Sequence, residues 1–198
     1  IIQPNCFIGH DVEIGKNSII HANVSIFDDT IIGDNVIIQS GTVLGANAFY
    51  YKKRPDGYDQ LKSCGRVVIK DNVHIGASCT IDRGVTGDTT IGKGTKLDNL
   101  IQVGHDTLIG ANCLIASQSG IAGCCIIEDN VTIWGQVGTS SGITIGAEAV
   151  ILGQSGVTKS IEGGKTYFGT PIEESRSKLK ELALLRKLPQ IIKELKEK

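Results

Sequence analysis

Ile or Leu stands at positions 2, 8, 14, 20, 26, 32, 38 and 44, an unbroken step of six, and the step resumes at 69, 75 and 81. From 91 it runs through Leu97, Val103, Ile109, Ile115, Ile121, Ile127, Ile133, Ile145, Ile151 and Val157, with only Thr139 breaking the aliphatic rule. Four residues after an anchor comes a small or β-branched side chain, as at Cys6, Val12, Ser18, Val24, Thr30, Cys79, Thr95, Thr107, Cys113 and Cys125. Glycine or a short polar residue often follows the anchor directly, as at Gly9, Gly15, Gly76 and Gly104. A period of six fits no amphipathic helix, and the alternation of a simple strand would not hold glycine at one phase. It builds a parallel β-helix instead. Each hexapeptide supplies a short strand and a corner, and three close a triangular coil of eighteen residues with the anchors pointing inward. Coils then stack at strand spacing, about 4.8 Å.

The 198 residues provide for one solenoid of between seven and eight coils and a tail. A net charge of −1 and a pI near 6.5 disfavour nucleic acid and anionic membrane surfaces as partners. No apolar run reaches the roughly 18 residues of a membrane span and no signal-peptide pattern opens the chain, so a soluble cytoplasmic protein is expected. Cys6, Cys79, Cys113 and Cys125 fall in the small inward slot, and Cys64 and Cys124 form no metal-ligand spacing. All six are read as reduced and structural. The chain opens inside the repeat at Ile1 and Ile2, without the cap that solenoid ends normally carry, which suggests a domain or partner covering this end.

Residues 1–161 are assigned to the solenoid and 162–198 to an exit segment and helices. Tyr50 to Val68 interrupts the period with nineteen residues, YYKKRPDGYDQLKSCGRVV, and a turn signal at Pro55, Asp56 and Gly57. Long loops in compact repeats are usually functional, and Tyr50 and Tyr51 lead this one, so a substrate-binding flap is expected. A second interruption spans 87–90. Counting back by coils, the hexapeptides anchored at Leu44, Ile81, Val103 and Ile121 share one column, so both interruptions leave the solenoid along the same edge. In the tail, Thr170 to Glu173 reads as a capped helix start, apolar residues recur at helical spacing from Ile172 to Leu188, and Pro189 should end that helix before a short charged one through Leu195. Its apolar stripe would cap the last coils.

His105 lies two residues after its anchor in that column, and His10 has the same phase in a nearly identical quartet, VGHD against IGHD. Their surroundings differ. Seven residues before His105 is Asp98, and eighteen after it, one full coil, is Gly123. An imidazole base, a carboxylate to orient it and a backbone N–H above it are the parts of an acyl-transfer site. A metal site is set aside, because the four histidines lie on different coils with no Cys or His at ligand spacing.

The segments SGTVLGANAFYY, GRVVIKDNVHIGASCTIDRG and LDNLIQVGHDTLIGANCLIA resemble the UDP-3-O-acylglucosamine N-acyltransferases of lipid A synthesis, within the left-handed β-helix acyltransferases. TIDRG followed by DN and GHD at this spacing is the specific part. The resemblance implies a left-handed β-helix with an α-helical tail, and transfer of a 3-hydroxyacyl chain from acyl carrier protein to a glucosamine amine. It implies no cofactor beyond the carrier's phosphopantetheine thioester, a cytoplasmic homotrimer with sites between neighbouring solenoids, and no metal. Carried over by residue, it places the base on His105, the orienting acid on Asp98, the oxyanion amide on Gly123 and a sugar contact on Asn99. Two departures stand out. Gly142 occupies the place of a second family histidine, and the family's N-terminal uridine-binding domain is absent from this chain. The competing readings are a UDP-N-acetylglucosamine O-acyltransferase, a coenzyme A dependent acetyltransferase of the same fold, and a non-catalytic trimeric paralogue.

Overall fold

In the computed structural model, which describes residues 1–196, the hexapeptide anchors stack into three parallel ladders that form the faces of one solenoid. The first face has eight strands, from Phe7–Ile8 to Gly156–Val157, and the second seven, from Glu13–Ile14 to Thr144–Ile145. The third has nine, from Ile19–Ile20 through Val150–Ile151 and Thr166–Phe168 to Glu173–Glu174. On the first face Ile8, Ile26, Leu44, Ile81, Val103 and Ile121 are in register, so the column counted from the sequence exists as a ladder.

The interior is filled by the anchors. Ile20, Ile26, Ile38, Leu44, Ile81, Ile115 and Ile133 are fully buried, each such side chain contributing about 1.5–3 kcal/mol of transfer free energy. The small inward slot lies at the corners, where a larger group would collide with the turning backbone. Its hydroxyls are satisfied there: Thr42 donates to Gly76 O at 2.7 Å, Thr95 to Gly110 O at 2.8 Å and Thr107 to Ala122 O at 3.0 Å. Cys79, Cys113 and Cys125 are buried in the same slot, and all six cysteines are free thiols. Three residues after most anchors the backbone turns through the left-handed region, with φ of 60° at Asn5, 52° at Asp11, 59° at Asn17 and 62° at Asn23. Asn and Asp tolerate that conformation best after glycine, which accounts for their recurrence.

The long interruption is an antiparallel hairpin of Tyr51–Arg54 and Gly57–Gln60, closed by Pro55 and Asp56. The chain rejoins the second face at Arg66–Ile69. The short interruption is a tight turn, in which a Cβ on Gly84 would lie 2.0 Å from Gly87 O, so no side chain fits.

The tail departs from the expected form. The parallel ladder continues to Thr166–Phe168, Glu173–Glu174 pairs back on it antiparallel, and the helix starts only at Ser175. Strand pairing thus claims the residues whose spacing suggested a capped helix start. Pro189 lies within a single helix, Ser175–Lys196, because strong helix formers flank it on both sides and outweigh the one backbone hydrogen bond it forgoes. No residue of this helix is buried, so its apolar stripe does not cap the coils; Tyr167 and Ile172 do. No helix among the described residues is long and apolar enough to cross a membrane.

Candidate active site

Several corners of the solenoid share one backbone device. The N–H of the second residue after an anchor points along the stack, and there a side chain one coil away caps it. Asp28 accepts from His10 N at 2.9 Å, Asp34 from Lys16 N at 2.6 Å, Asp129 from Ala111 N at 2.7 Å and Asn99 from Ala77 N at 2.8 Å. Asp98 belongs to this series: its carboxylate accepts from Ser117 N at 3.2 Å, and from the backbone and amide N–H groups of Asn99 at 2.8 and 2.9 Å. Asn99 is likewise consumed, its oxygen on Ala77 and its amide on Asp98.

The first-face corner beyond Val103 is among those without such a cap. The residue stacked on His105 is Gly123, which has no side chain to act as a cap. Among the described residues neither the His105 N–H nor the Gly123 N–H has a hydrogen-bond partner. Gly123 lies directly on the imidazole: a Cβ there would be 2.7 Å from His105 Nε2 and 2.9 Å from Cδ2 and Cε1. One coil further, Thr139 breaks the aliphatic series because its hydroxyl accepts the Ala122 N–H at 2.9 Å. Gly142 occupies the left-handed corner position with φ of 70°, exposed and facing open space.

The acid against His105 is Asp106, not Asp98. His105 Nδ1 and Asp106 Oδ2 are 2.8 Å apart, whereas no hydrogen bond joins Asp98 to His105 among the described residues. The correction is geometric. A face of the solenoid takes six residues, so a step of seven reaches the preceding corner, while the left-handed turn at Asp106, φ 54°, folds its carboxylate back beside its neighbour. The short interruption then wraps this carboxylate: Val85 N donates at 2.9 Å, Gly87 N at 3.0 Å and Thr86 N at 3.4 Å. Burial alone would raise the Asp106 pKa, but these N–H groups and His105 outweigh it and hold the carboxyl below its ordinary range. A carboxylate only accepts, so a neutral imidazole paired with Asp106 carries its hydrogen on Nδ1 and presents Nε2 as the acceptor beneath Gly123.

Other groups gather at the same edge. The Tyr50 ring stands edge-on to the imidazole, with centroids 5.5 Å apart, so this loop residue reaches the site within the chain. Tyr51 packs on Phe49 at 5.1 Å and lines, with Phe49, Tyr50 and Tyr58, a cavity of about 580 Å³. Asp82, from the TIDRG segment, accepts from Gln102 Nε2 at 2.9 Å, and its carboxyl is raised by burial, against opposing contributions from Gln102 and His105. Arg83 is structural, donating to Asp28 O at 2.7 Å and pairing with Asp29 at 3.2 Å. Sequence spacing gives Asp106 and Asp82 no role, although GHD and TIDRG contain them, and reads Cys124 as structural; only the stack brings the three together. The Cys124 Sγ lies 4.0 Å from His105 Nδ1, and the nitrogen, the Asp106 oxygen and this sulfur fall within 4.8 Å of one another. The convergence corrects the expectation that no ligand set meets here, because Cys124 is one coil and one residue from His105.

His105 is about 13% exposed in its side chain, whereas His10 is open to solvent and His21 pairs with Gln3 at 3.2 Å. Along the outer surface of the first face the register then runs from Gln102 to Gly120, Gly138 and Gly156. A Cβ at Gly120 or Gly138 would meet nothing within 4 Å, while one at Gly156 would meet the Thr170 side chain at 3.0 Å. A strip without side chains therefore runs down the first face from Gly120 and ends against Thr170.

The family model for the bacterial transferase hexapeptide (six repeats) matches residues 1–28 and 88–123. The UDP-3-O-acylglucosamine N-acyltransferase of Wolinella succinogenes is 41% identical over 187 residues, 94% of this chain and 53% of that protein. That of Campylobacter lari is 50% identical over 116 residues, 59% of this chain and 36% of that protein. The chain thus spans about half the length of the Wolinella relative and less of the other. Among solved structures, the UDP-N-acetylglucosamine O-acyltransferase of Moraxella catarrhalis superposes with a TM-score of 0.80 at 27% identity, over 88% of this chain and 66% of that one. The repeat, the three-faced stack and these likenesses agree, and the chain belongs to the hexapeptide-repeat, left-handed β-helix acyltransferase family that includes the UDP-3-O-acylglucosamine N-acyltransferases.

Proposed function

We propose that the protein is an N-acyltransferase that moves a 3-hydroxyacyl chain from acyl carrier protein to the amine of a UDP-3-O-acylglucosamine in lipid A synthesis. The observation that carries the reading is the imidazole held between Asp106 and a glycine whose N–H is free. His105 Nε2 takes a proton from the amine as its nitrogen attacks the thioester carbonyl. The Gly123 N–H donates to the oxyanion of the tetrahedral intermediate, and the intermediate collapses to amide as the imidazolium returns the proton to the departing thiolate. Asp106 stabilises that imidazolium, as an orienting carboxylate does in other acyl-transfer sites. The glycine strip offers the acyl chain a floor without side chains across successive coils, each about 4.8 Å deep.

The hairpin supports a trimer with sites between subunits. Phe49 at its base and Tyr58 on it stand 84% and 70% exposed, apolar surface that a neighbouring solenoid would cover. The aromatic cavity lined by Tyr50 and Tyr51 is then a place for the substrate. Curated relatives at 40–50% identity carry the N-acyltransferase name, whereas the O-acyltransferase likeness comes from a solved structure at 27% identity. The N-linked product is therefore favoured, and the linkage in the product, amide or ester, distinguishes the two.

The test is turnover of the full-length protein with 3-hydroxyacyl carrier protein and UDP-3-O-acylglucosamine, beside His105→Ala. Losing a general base costs about 10²–10⁴ in rate. Amide formation that survives the substitution at a near-normal rate would refute the assignment.

A further inference from the structure

We propose that Cys124 Sγ, His105 Nδ1 and the Asp106 carboxylate form a binding site for a thiophilic divalent cation of the zinc class, and that its occupation switches off the His105 base. The site rests on geometry alone; the switch also rests on the acyl-transfer reading above.

Two coils meet here to supply a thiol, an imidazole nitrogen and a carboxylate, the donor set that a borderline-soft ion prefers. A tetrahedral zinc at standard bond lengths places its N and S ligands about 3.6 Å apart and its N and O ligands about 3.4 Å apart. The corresponding separations are 4.0 Å from Nδ1 to Sγ and 2.8 Å from Nδ1 to Oδ2, and all three ligand atoms lie within 4.8 Å of one another, so side-chain shifts of up to about 1 Å complete the set. The supporting shell already exists, since the Val85 and Gly87 N–H groups hold the carboxylate whether or not His105 donates to it. Cys124 is exposed, which gives the ion a path in and leaves a fourth position to water.

Occupation changes the tautomer. The cation takes the place of the Nδ1 proton, which moves to Nε2, and the Cys124 thiol gives up its proton to solvent, so one proton is released per ion bound. A neutral imidazole ligated through Nδ1 carries its hydrogen on Nε2, the atom that faces Gly123. That atom can then no longer accept a proton from an amine. No group of the oxyanion site is touched, so the expected effect is loss of turnover with the fold intact.

The full-length protein is titrated with Co²⁺ alone as a spectroscopic probe. A thiolate-to-cobalt charge-transfer band saturating at one equivalent per chain, displaced by Zn²⁺ and absent in Cys124→Ser, is the expected result. No band, or a band retained in Cys124→Ser, overturns the site, and the variant excludes the exposed Cys64 as its source. In the turnover assay Zn²⁺ should abolish amide formation, a chelator should restore it, and Cys124→Ser should keep its untreated rate while needing at least about 10-fold more Zn²⁺ for inhibition, since losing even an outer-shell partner of a ligand costs that much. A cobalt band with turnover indifferent to Zn²⁺ overturns the switch and leaves the site. A protein that makes no amide even without metal refutes the acyl-transfer reading, and the cobalt titration still decides the site.

Discussion

Replacing Gly123 by Ala adds one methyl group at the point where the site has least room. Its Cβ would lie 2.7 Å from His105 Nε2 and 2.9 Å from two ring carbons. Ordinary nonbonded contact needs about 3.5 Å. The ring must therefore retreat by about 0.8 Å, and it is the part that yields, because Gly123 belongs to the continuous backbone stack. Gly123 is not among the residues with positive φ, so the substitution carries no intrinsic backbone penalty. A misplacement near 1 Å at a reacting group costs about 10² in rate. We expect kcat to fall about 30–100-fold, equivalent to about 2–2.7 kcal/mol of transition-state stabilisation. Overpacking a closed core costs about 1–3 kcal/mol, and because the imidazole lies at a corner and can turn about its own torsions the loss of stability stays near the lower bound. The assay pairs steady-state amide formation with a thermal melt of the same preparation. Turnover within about twofold of the parent would refute the stacking of a reactive imidazole under Gly123. Loss of activity accompanied by collapse of the melt would assign the glycine to the fold instead.

Asp106→Asn should depress kcat far more than Asp98→Asn, because only Asp106 touches the imidazole; equal losses in turnover would overturn that distinction. The Asp106 carboxyl is held below its ordinary value in the folded state, so its contribution to stability is present above the unfolded value of about 4 and is lost as pH falls through the folded one. The gap in unfolding free energy between parent and Asp106→Asn should therefore be widest near neutrality and close in acid, and a gap constant with pH would contradict the shift. Gly138→Met places a long side chain on an open strip and should shorten the preferred acyl chain without harming the melt; an unchanged chain-length profile would remove the strip from the site. Ile115→Ala, at a fully buried anchor, should cost about 2–5 kcal/mol in denaturant unfolding, and a loss under 1 would contradict a close-packed interior.

What could be foreseen along the chain and what could not follow one physical division. A contact that repeats with the coil is carried by the period, so Ile81 over Leu44, and Gly123 over His105, could be found by counting. A contact made within a corner depends on how the left-handed turn aims a side chain, and counting is blind to it. Spacing therefore points to Asp98, although Asp106 is adjacent to the histidine. The same holds for Cys124, whose sulfur approaches His105 only because its own corner turns with φ of 60°. The tail failed for another reason. Residues 170–174 carry good local helix signals, but the last ladder offers an unpaired edge, and Glu173–Glu174 takes it. Tertiary pairing won over propensity there.

Because residues meet their partners eighteen positions away, the solenoid keeps a structural reading frame. Losing or gaining one hexapeptide between His105 and Gly123 would keep every side chain inward or outward as before, yet rotate all that follows by a third of a turn, setting a different face over the imidazole. A tandem copy of a whole coil elsewhere would preserve the phase and leave the site unaware of the change. Descendants of such a chain can lengthen in steps of one coil at little risk. Smaller steps survive only as excursions, like the hairpin of Tyr51–Arg54 and Gly57–Gln60 and the turn at Gly84 to Gly87, which leave the wall and rejoin it in phase.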